Sequence, residues 1–295
     1  MDNGNEMRDF LVSRRARITP EQAGLPVYGG NRRVAGLRRE EVALLAGVSV
    51  DYYTRLERGR AAGASDSVLE GIARALHLDE AERAHLFDLA RAAAGPGAPR
   101  VPRRPVAQQV RPNVRRILDS MTMTPAYVRN ARLDILTANQ LGAALFAPVL
   151  SSAAQPANNA RFMFLDPAAR DFYSDWERQA QDVVAMLRTE AGRNPHDKDL
   201  SNLIGELSTR SENFRIWWAA HNVRFHRTGI KRFRHPVVGD LTLTYEALDL
   251  AADSGLRISA YTAEPGTPSD DALKVLASWA ATLDQPAKTT EPDNG

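Results

Sequence analysis

Residues 39–59 read REEVALLAGVSVDYYTRLERG and contain two short apolar periodic segments separated by a turn of small residues. In the first segment, Val42 and Ala43 fall on one face of a helix. Gly47 stands where this helix must end and the chain must reverse, which favours a residue that tolerates positive φ. Ser49 is a good N-cap for the next helix, because its hydroxyl can accept from a free backbone N–H. The stretch therefore predicts a helix-turn-helix.

The second helix of this motif is predicted to have one apolar side and one open side. At about 100° per residue, Tyr53, Leu56 and Glu57 cluster together and can bury against the first helix. The open side is polar and mostly basic, with Asp51, Arg55 and Arg58 flanked by Val50, Tyr52 and Thr54. A solvated helix face would explain the charges but not the turn and the cap as well. The pattern favours a helix that enters the major groove of DNA.

This order of residues resembles the Cro/C1-type (XRE) helix-turn-helix family. The resemblance is carried by Val42-Ala43, Gly47-Val48-Ser49, Tyr53 and Leu56-Glu57-Arg58-Gly59. It implies that Val50, Asp51 and Arg55 read bases. In the family the first helix usually opens with a Gln that contacts the phosphate backbone, and Arg39 stands in that place here. An Arg can still hold a phosphate, so the departure affects the residue mapping and not the family.

Asp51 has two interpretations at this point. Its carboxylate can accept from cytosine N4 in the groove, or it can pair with Arg55 four residues later in the helix. The predicted DNA contacts are Arg38, Arg39, Ser49, Val50, Asp51, Tyr52, Arg55 and Arg58 in the motif, and Arg32 and Arg33 before it. Among these, Arg39, Arg58 and the pair before the motif are expected to hold phosphates.

Basic charge is concentrated around the motif, although the whole chain carries a formal charge of only +2. Residues 8–60 hold eleven Arg and six acidic residues, and residues 100–116 hold six Arg and no acidic residue. This bias favours an anionic partner. The Gly- and Pro-rich link 19–37 either packs over the helices or touches the DNA backbone, and residues 100–116 form either a solvated tether or a segment near phosphate.

The N-terminal part is predicted to be all-helical. Helices are expected over residues 8–18 and 65–76, and the capping box Asp79-x-x-Glu82 begins another. We predict four segments: a helix-turn-helix DNA-binding domain over 1–94, a basic Pro/Gly-rich linker over 95–111, a ligand-binding and dimerisation domain over 112–283, and a disordered tail over 284–295.

The second domain is predicted to be α+β. Residues 125–139 read as a β-hairpin, and three strands are expected over 229–235, 241–250 and 256–263. Helices are expected between them, namely a long stretch from Asp166 and helices over 200–210 and 212–226, with a closing helix over about 269–281. The result is an antiparallel sheet covered by helices, in PAS-like order. The fold class is therefore multi-domain, an all-α bundle followed by a PAS-like α+β domain.

Together these segments resemble the MmyB-like transcription regulators, in which a helix-turn-helix precedes a PAS-like ligand-binding domain. The resemblance is carried by GLRREEVA at 36–43, DYYTRLE at 51–57, WWAAHNV at 217–223 and KRFRHPVVG at 231–239. It implies double-stranded DNA as a partner and a fatty-acid-like lipid as effector, with no other cofactor. The family often has a Trp before the Asn that follows the hairpin, where Ala138 stands here, and this departure affects the shape of the pocket.

Aromatic residues are abundant in the second domain and can either wall an apolar cavity or form an ordinary core. The candidate ligand contacts are Tyr127, Arg129, Phe146, Phe172, Trp176, Phe214, Trp217, Trp218, His221, Arg224 and Tyr245. For an acidic lipid, Arg129, His221 and Arg224 are the candidate donors. His221 has a second interpretation as a hydrogen-bonded core histidine.

Nothing in the sequence indicates an enzyme, a catalytic residue or a metal site. The chain has no Cys, no Gly-x-Ser-x-Gly, no phosphate-binding Gly-rich loop and no His-Glu-x-x-His. No apolar run approaches about 18 residues, so we expect a cytoplasmic, nucleoid-associated protein without a membrane span. A homodimer would place two recognition helices one DNA turn apart. Two alternatives remain, a second domain that only dimerises and a helix-turn-helix that contacts another protein.

Overall fold

The computed structural model describes residues 3–25, 34, 36–93, 109–152, 156–195, 197–222, 228–253 and 255–283. The chain forms two compact units. The first comprises Met1–Pro102 and Gln181–Phe225, and the second comprises Arg103–Ala180 and His226–Gly295. The predicted domain limits differ from this division, because residues 181–225 group with the N-terminal helices and not with the rest of the second domain.

The described N-terminal part of the first unit is all-helical, as predicted. Its helices are α1 (Asn3–Arg17), α2 (Arg39–Ala46), α3 (Val50–Glu57), α4 (Asp66–Ala75) and α5 (Glu80–Ala93). Their buried side chains, including Phe10, Leu56 and Ile72, form one core. The first helix begins five residues earlier than expected from the sequence, and its additional turn buries Met7 in this core.

The predicted capping box begins α5. The backbone N–H of Glu82 donates to the carboxylate of Asp79 at 2.8 Å, and the N–H of Asp79 donates back to Glu82 at 3.2 Å. Two N–H groups that the helix itself leaves unpaired are thereby satisfied, which fixes where the helix begins.

From residue 109 onward the described chain contains further helices and a five-stranded sheet. The helices are α6 (Pro112–Ser120), α7 (Gln140–Leu145), α8 (Ala147–Leu150), α9 (Asn159–Leu165), α10 (Ala168–Phe172), α11 (Trp176–Arg193), α12 (Lys198–Arg210), α13 (Glu212–Ala219) and α14 (Pro268–Leu283). The chain passes from the second unit to the first within α11, at Ala180, and α12 and α13 belong to the first unit.

The sheet of the second unit is antiparallel throughout. Its strands are β1 (Ala126–Arg129), β2 (Ile135–Ala138), β3 (Thr228–His235), β4 (Gly239–Asp249) and β5 (Arg257–Thr262), in the order β2-β1-β5-β4-β3. Tyr127 of the hairpin lies opposite Ser259 of the last strand, so the two ends of the domain meet at the centre of the sheet. An all-helical domain followed by an α+β domain with an antiparallel sheet confirms the predicted fold class.

Two predicted helices end earlier than expected. The long stretch from Asp166 is interrupted because Tyr173 pairs with Phe233 in an isolated antiparallel bridge, which separates α10 from α11. The helix predicted over 212–226 ends at Ala219, and His221 beyond it has a left-handed φ of 51°. The expectation that His221 lies on this helix was therefore wrong.

Residues 95–108 of the predicted linker and the tail from 284 on lie outside the described residues. Among the helices that the structure describes, none is long and apolar enough to cross a membrane.

Candidate DNA-binding surface and ligand-binding interior

The turn of the helix-turn-helix has the geometry that the sequence predicts. Gly47 ends α2 with a left-handed φ of 69°. The Ser49 hydroxyl accepts from the backbone N–H of Tyr52 at 3.1 Å and caps α3. These two residues set the direction in which α3 leaves the motif.

The buried side of α3 is fixed by an ion cluster as well as by apolar packing. Glu57 has only 2 % of its side chain exposed, and its carboxylate accepts from Nε of Arg15 and Nε of Arg39, each at 2.9 Å. Burial alone would raise the pKa of Glu57, but hydrogen bonds and charge from the two arginines lower it below its ordinary value. The ionised carboxylate thus ties α1, α2 and α3 together.

Helical periodicity placed Glu57 on the buried side of α3 but does not identify its partners. A carboxylate on the apolar side of an amphipathic helix requires a cation nearby, because an unpaired buried charge is costly. Glu57 is such a carboxylate, so the sequence did indicate that a cation lies near it. The partner Arg15 is 42 residues earlier in the chain, and periodicity cannot identify it.

The predicted phosphate contacts in the first helix have intramolecular partners. Arg39 donates to Glu57, yet about half of its side chain, 49 %, is exposed, so its terminal nitrogens remain accessible to a phosphate. Arg38 donates from its backbone to Glu41 at 2.6 Å, and its side chain pairs with Glu40 at 3.3 Å. In the free protein, both arginines therefore also bind acidic residues of the same domain.

The open side of α3 is exposed at the positions predicted to read bases. Val50, Asp51, Arg55 and Arg58 are exposed, and the Arg55 guanidinium lies 5.1 Å from the centre of the Tyr52 ring. Asp51 and Arg55 are both described residues, and no ion pair joins them. Of the two interpretations of Asp51, the structure thus leaves its carboxylate open to a base. Arg32 and Arg33 lie outside the described residues.

The interior of the second unit is a continuous group of aromatic rings, which we call the aromatic interior. It contains Tyr127, Phe146, Phe162, Phe172, Tyr173, Phe233, Tyr245 and Tyr261, all of them buried. Ring centres lie 4.9 Å apart for Tyr127 and Phe146, and 5.1 Å apart for Phe146 and Tyr261. Four of the predicted ligand contacts, Tyr127, Phe146, Phe172 and Tyr245, therefore lie together.

Phe233 and Tyr261 of this group were not among the predicted ligand contacts. Both lie on β-strands whose buried residues alternate with exposed ones, as Lys231, Phe233 and His235 do on β3. Strand periodicity could have placed these side chains on the inner face of the sheet.

Two cations and several hydroxyls lie among these rings. Arg129 and Lys231 are both buried, and Nζ of Lys231 lies 5.3 Å from the centre of the Tyr245 ring. The hydroxyls of Tyr127 and Tyr261 are 3.3 Å apart. Burial raises the pKa of Tyr261 well above its ordinary value, while the charge of Arg129 acts in the opposite direction. Lys231 was not among the predicted ligand contacts.

Five other predicted ligand contacts that the structure describes lie outside the aromatic interior. Phe214, Trp217, Trp218 and His221 belong to the first unit, where the rings of Phe214 and Trp218 stack at 5.6 Å. These four were predicted to share one site with Tyr127 and its neighbours, and the structure places them in a different compact unit.

Trp176 is in the second unit, but its ring packs against the Arg170 guanidinium at 3.8 Å and donates to the carbonyl of Met163 at 2.9 Å. Arg224 is outside the described residues. Among the described residues, no group of His, Asp and Glu is arranged to hold a metal ion.

Comparison with known proteins gives two matches. Residues 110–276 match the family model described as the MmyB-like transcription regulator ligand binding domain. Residues 14–86 match a model described as a helix-turn-helix domain. A search of curated proteins found no match. The first match covers more than half of the chain, and the second covers the motif with its supporting helices.

Proposed function

Because the chain belongs to the family of MmyB-like transcription regulators, we propose that it recognises a specific operator through α3 and responds to a fatty-acid-like ligand in its second unit. The chain is a DNA-binding transcription regulator with a C-terminal ligand-binding domain.

The observation that carries the DNA proposal is the exposed side of α3. Val50, Asp51 and Arg55 point away from the core, which fits contact with base edges in the major groove. Arg39 and Arg58 flank them and fit phosphate contacts. A pair of protomers would bring two copies of α3 to sites about 34 Å apart along the duplex. We therefore propose a homodimer on an operator with approximate two-fold symmetry.

The ligand proposal rests on the chemistry of the aromatic interior. Rings such as Phe146 and Phe172 can contact an acyl chain without losing a hydrogen bond, since they have none to lose. Arg129 and Lys231 are buried cations in the same domain and suit a carboxylate.

DNA recognition is tested by titrating the full-length protein with the duplex upstream of its own gene at physiological salt. We expect the operator to bind at least about a thousandfold more tightly than a scrambled duplex of the same composition. Equal affinity for both duplexes would reject sequence-specific recognition and favour the alternative in which the motif contacts a protein.

The ligand is tested by extracting the purified protein with organic solvent and analysing the extract by mass spectrometry. We expect a fatty acid in near-stoichiometric amount, and less of it in Lys231→Met. A dimeric protein that carries no lipid and binds none when titrated with sodium oleate would favour the alternative in which the second unit only dimerises.

A further inference from the structure

The first unit contains a group of arginines, two of them buried and one exposed, that the sequence did not predict. Arg14, Arg17 and Arg188 all donate to the carboxyl-terminal end of α13, and we call these three residues with the carbonyl groups that they bind the arginine cluster. Two of the three arginines come from α1, the first helix of the DNA-binding part, and the third comes from α11.

Each arginine of the cluster binds a different carbonyl group. Arg188 donates to the carbonyl of Trp218 and stacks on its ring at 3.9 Å. Arg17 reaches the carbonyl of Ala220 at 3.4 Å, and Arg14 donates to the carbonyl of His221. These oxygens are at the negative end of the helix dipole, where cations are favourable.

The arginines are also held by acidic residues of the DNA-binding part. Nη1 of Arg188 lies 2.7 Å from Glu6 of α1, and Nε of Arg14 lies 2.8 Å from Glu82 of α5. Nδ1 of His221 accepts from Arg188 at 3.0 Å, so the ring carries its proton on Nε2 if it is neutral. The end of α13 is thus fixed to α1 and α5 through charged groups.

Because two arginines of the cluster are buried, they depend on the acceptors that they bind. The side chains of Arg14 and Arg188 are only 2 % and 1 % exposed. Burial lowers the pKa of Arg14 to about 10 and also lowers that of Arg188. A buried guanidinium that loses its acceptors is strongly unfavourable, so the cluster should form or separate as a whole.

A short path leads from the cluster to the recognition helix. Arg14 and Arg17 bind the end of α13, and Arg15 from the same turns of α1 binds Glu57 of α3. A movement of α13 that shifts α1 would therefore also move Arg15, which binds Glu57 of α3.

The chain also connects the cluster to the aromatic interior. Five residues, 223–227, separate Asn222 from β3, the strand that carries Lys231 and Phe233. On the other side, α11 carries Arg188, and its first turn includes Gln179, which donates to the carbonyl of Arg232 in β3 at 3.1 Å. The first route reaches β3 through the chain itself, and the second reaches it through α11 and this hydrogen bond.

We propose that the arginine cluster is the switch that couples occupation of the aromatic interior to the DNA affinity of α3. This inference rests on the proposed function, because it requires a ligand in the second unit and an operator at the first. A ligand that displaces β3 biases the cluster between a bound and a released state, and α1 transmits the difference to Glu57. A merely structural cluster would affect stability without linking the two sites.

The first test uses DNA alone, because coupling between two sites is reciprocal. Hydrogen exchange of the full-length protein is measured with and without its operator duplex at residues 216–222. In the wild type, we expect DNA to change the hydrogen-exchange rates of these amides by about fivefold or more. The same change is expected in Arg210→Met, a matched variant whose arginine forms an exposed pair with Glu206 on α12.

Two variants weaken the cluster with limited risk to folding. Glu6→Gln removes one carboxylate, and Arg188→Lys keeps the charge but loses the planar stack and the multiple donors. The DNA-dependent change at residues 216–222 should disappear in both. No change in the wild type, or an unaltered change in both variants, would overturn the proposal.

The second test separates this inference from the proposed function. Operator affinity is measured for delipidated protein with and without sodium oleate, and oleate binding is measured on the same samples by equilibrium dialysis. We expect oleate to change operator affinity by about tenfold in the wild type and by less than about twofold in Glu6→Gln, which still binds oleate. An equal change in both proteins would overturn the switch. Failure of oleate to bind would instead reject the fatty-acid ligand, while the exchange experiment still decides the role of the cluster.

Discussion

The interiors of the two units are built from different interactions. In the first unit, Glu57, Arg14 and Arg188 are buried ions, each held by an ion pair and by hydrogen bonds from other atoms or residues. In the second unit, the interior consists largely of aromatic rings in edge and tilted contacts. Directional ion pairs fix the positions of helices closely, because a displaced partner leaves a buried charge uncompensated. Aromatic contacts tolerate more displacement, since burial of apolar area is non-directional and a displaced ring leaves no charge uncompensated.

This difference matches the tasks that we propose for the two units. A DNA-reading helix must hold its side chains in register with base edges, and Glu57 fixes α3 for that purpose. If the second unit binds the proposed apolar ligand, rings such as Phe146 must move aside. The arginine cluster belongs to the rigid type, which is why a change at the end of α13 would reach α1 without being absorbed.

The largest expected effect comes from removing a buried ion of the first unit. Arg188→Met should lower the free energy of unfolding by about 3–5 kcal/mol, because Glu6 and the carbonyl of Trp218 lose their donor. The measurement is native-state hydrogen exchange of amides in α1 and α3. Arg210→Met, which breaks only an exposed pair, should change the same value by less than about 1 kcal/mol. Similar losses of stability in both variants would contradict the claim that buried ions hold the first unit together.

Acidification should destabilise the first unit through His85. Burial, and then the charges of Arg188 and Arg14, lower the pKa of His85 to about 3, whereas the unfolded chain has the ordinary value of about 6.5. The unfolded state therefore binds more protons between these two values, and stability falls as the pH drops below about 6.5. The His85 contribution lost between pH 6.5 and pH 4 is about 3 kcal/mol.

His85→Phe provides the matched control for this pH dependence. The ring is buried against Phe10 at 5.1 Å, and neither of its nitrogens has a hydrogen-bond partner among the described residues, so an apolar ring fits its environment. Urea unfolding at pH 6.5 and pH 4 should show a smaller loss in the variant by about 3 kcal/mol. Parallel pH dependence in the two proteins would show that His85 is not the group responsible.

A conservative change in the aromatic interior should have a smaller effect. Phe146→Leu should lower the free energy of unfolding of the second unit by about 1–1.5 kcal/mol, because the neighbouring rings can close around the smaller side chain. Urea unfolding followed by exchange of amides in β4 and β5 measures the change. A loss as large as that of Arg188→Met would show that the second interior is as rigid as the first.

The smallest effect on stability is expected at the exposed edge of the Glu57 cluster. Arg39→Ala should cost less than about 1 kcal/mol, because Glu57 keeps Arg15. It should weaken binding to every duplex by a similar factor and reduce the salt slope by about 1. Titrations at several salt concentrations on specific and scrambled duplexes measure both quantities. Loss confined to the operator would show that Arg39 reads bases.

Local structure could be predicted from the sequence where the residues that determine it lie within one short segment. The turn at Gly47, the cap at Ser49, the capping box of Asp79 and the β-hairpin each depend on residues close in the chain. Periodicity also placed Tyr53 and Leu56 in the core.

Long-range partners could not be obtained in this way. The pair Arg188–Glu6 joins residues 182 positions apart, and the sequence carries no signal for it beyond two charges in amphipathic helices. The interruption at Tyr173 depends on a bridge to Phe233, 60 residues later. The grouping of Trp218 with the first unit is also a long-range effect. Trp218 contacts Arg188, and the sequence does not show where Arg188 lies in the fold.

The central claim, that the open side of α3 reads DNA, is tested most directly by Arg55→Ala. Equilibrium titrations compare the variant and the wild type on the operator and on operators with single base-pair changes. The account predicts a loss of about 1–3 kcal/mol on the operator and weaker discrimination at one base pair of each half-site, with scrambled DNA affected much less. An unchanged operator affinity with unchanged base preference would contradict it.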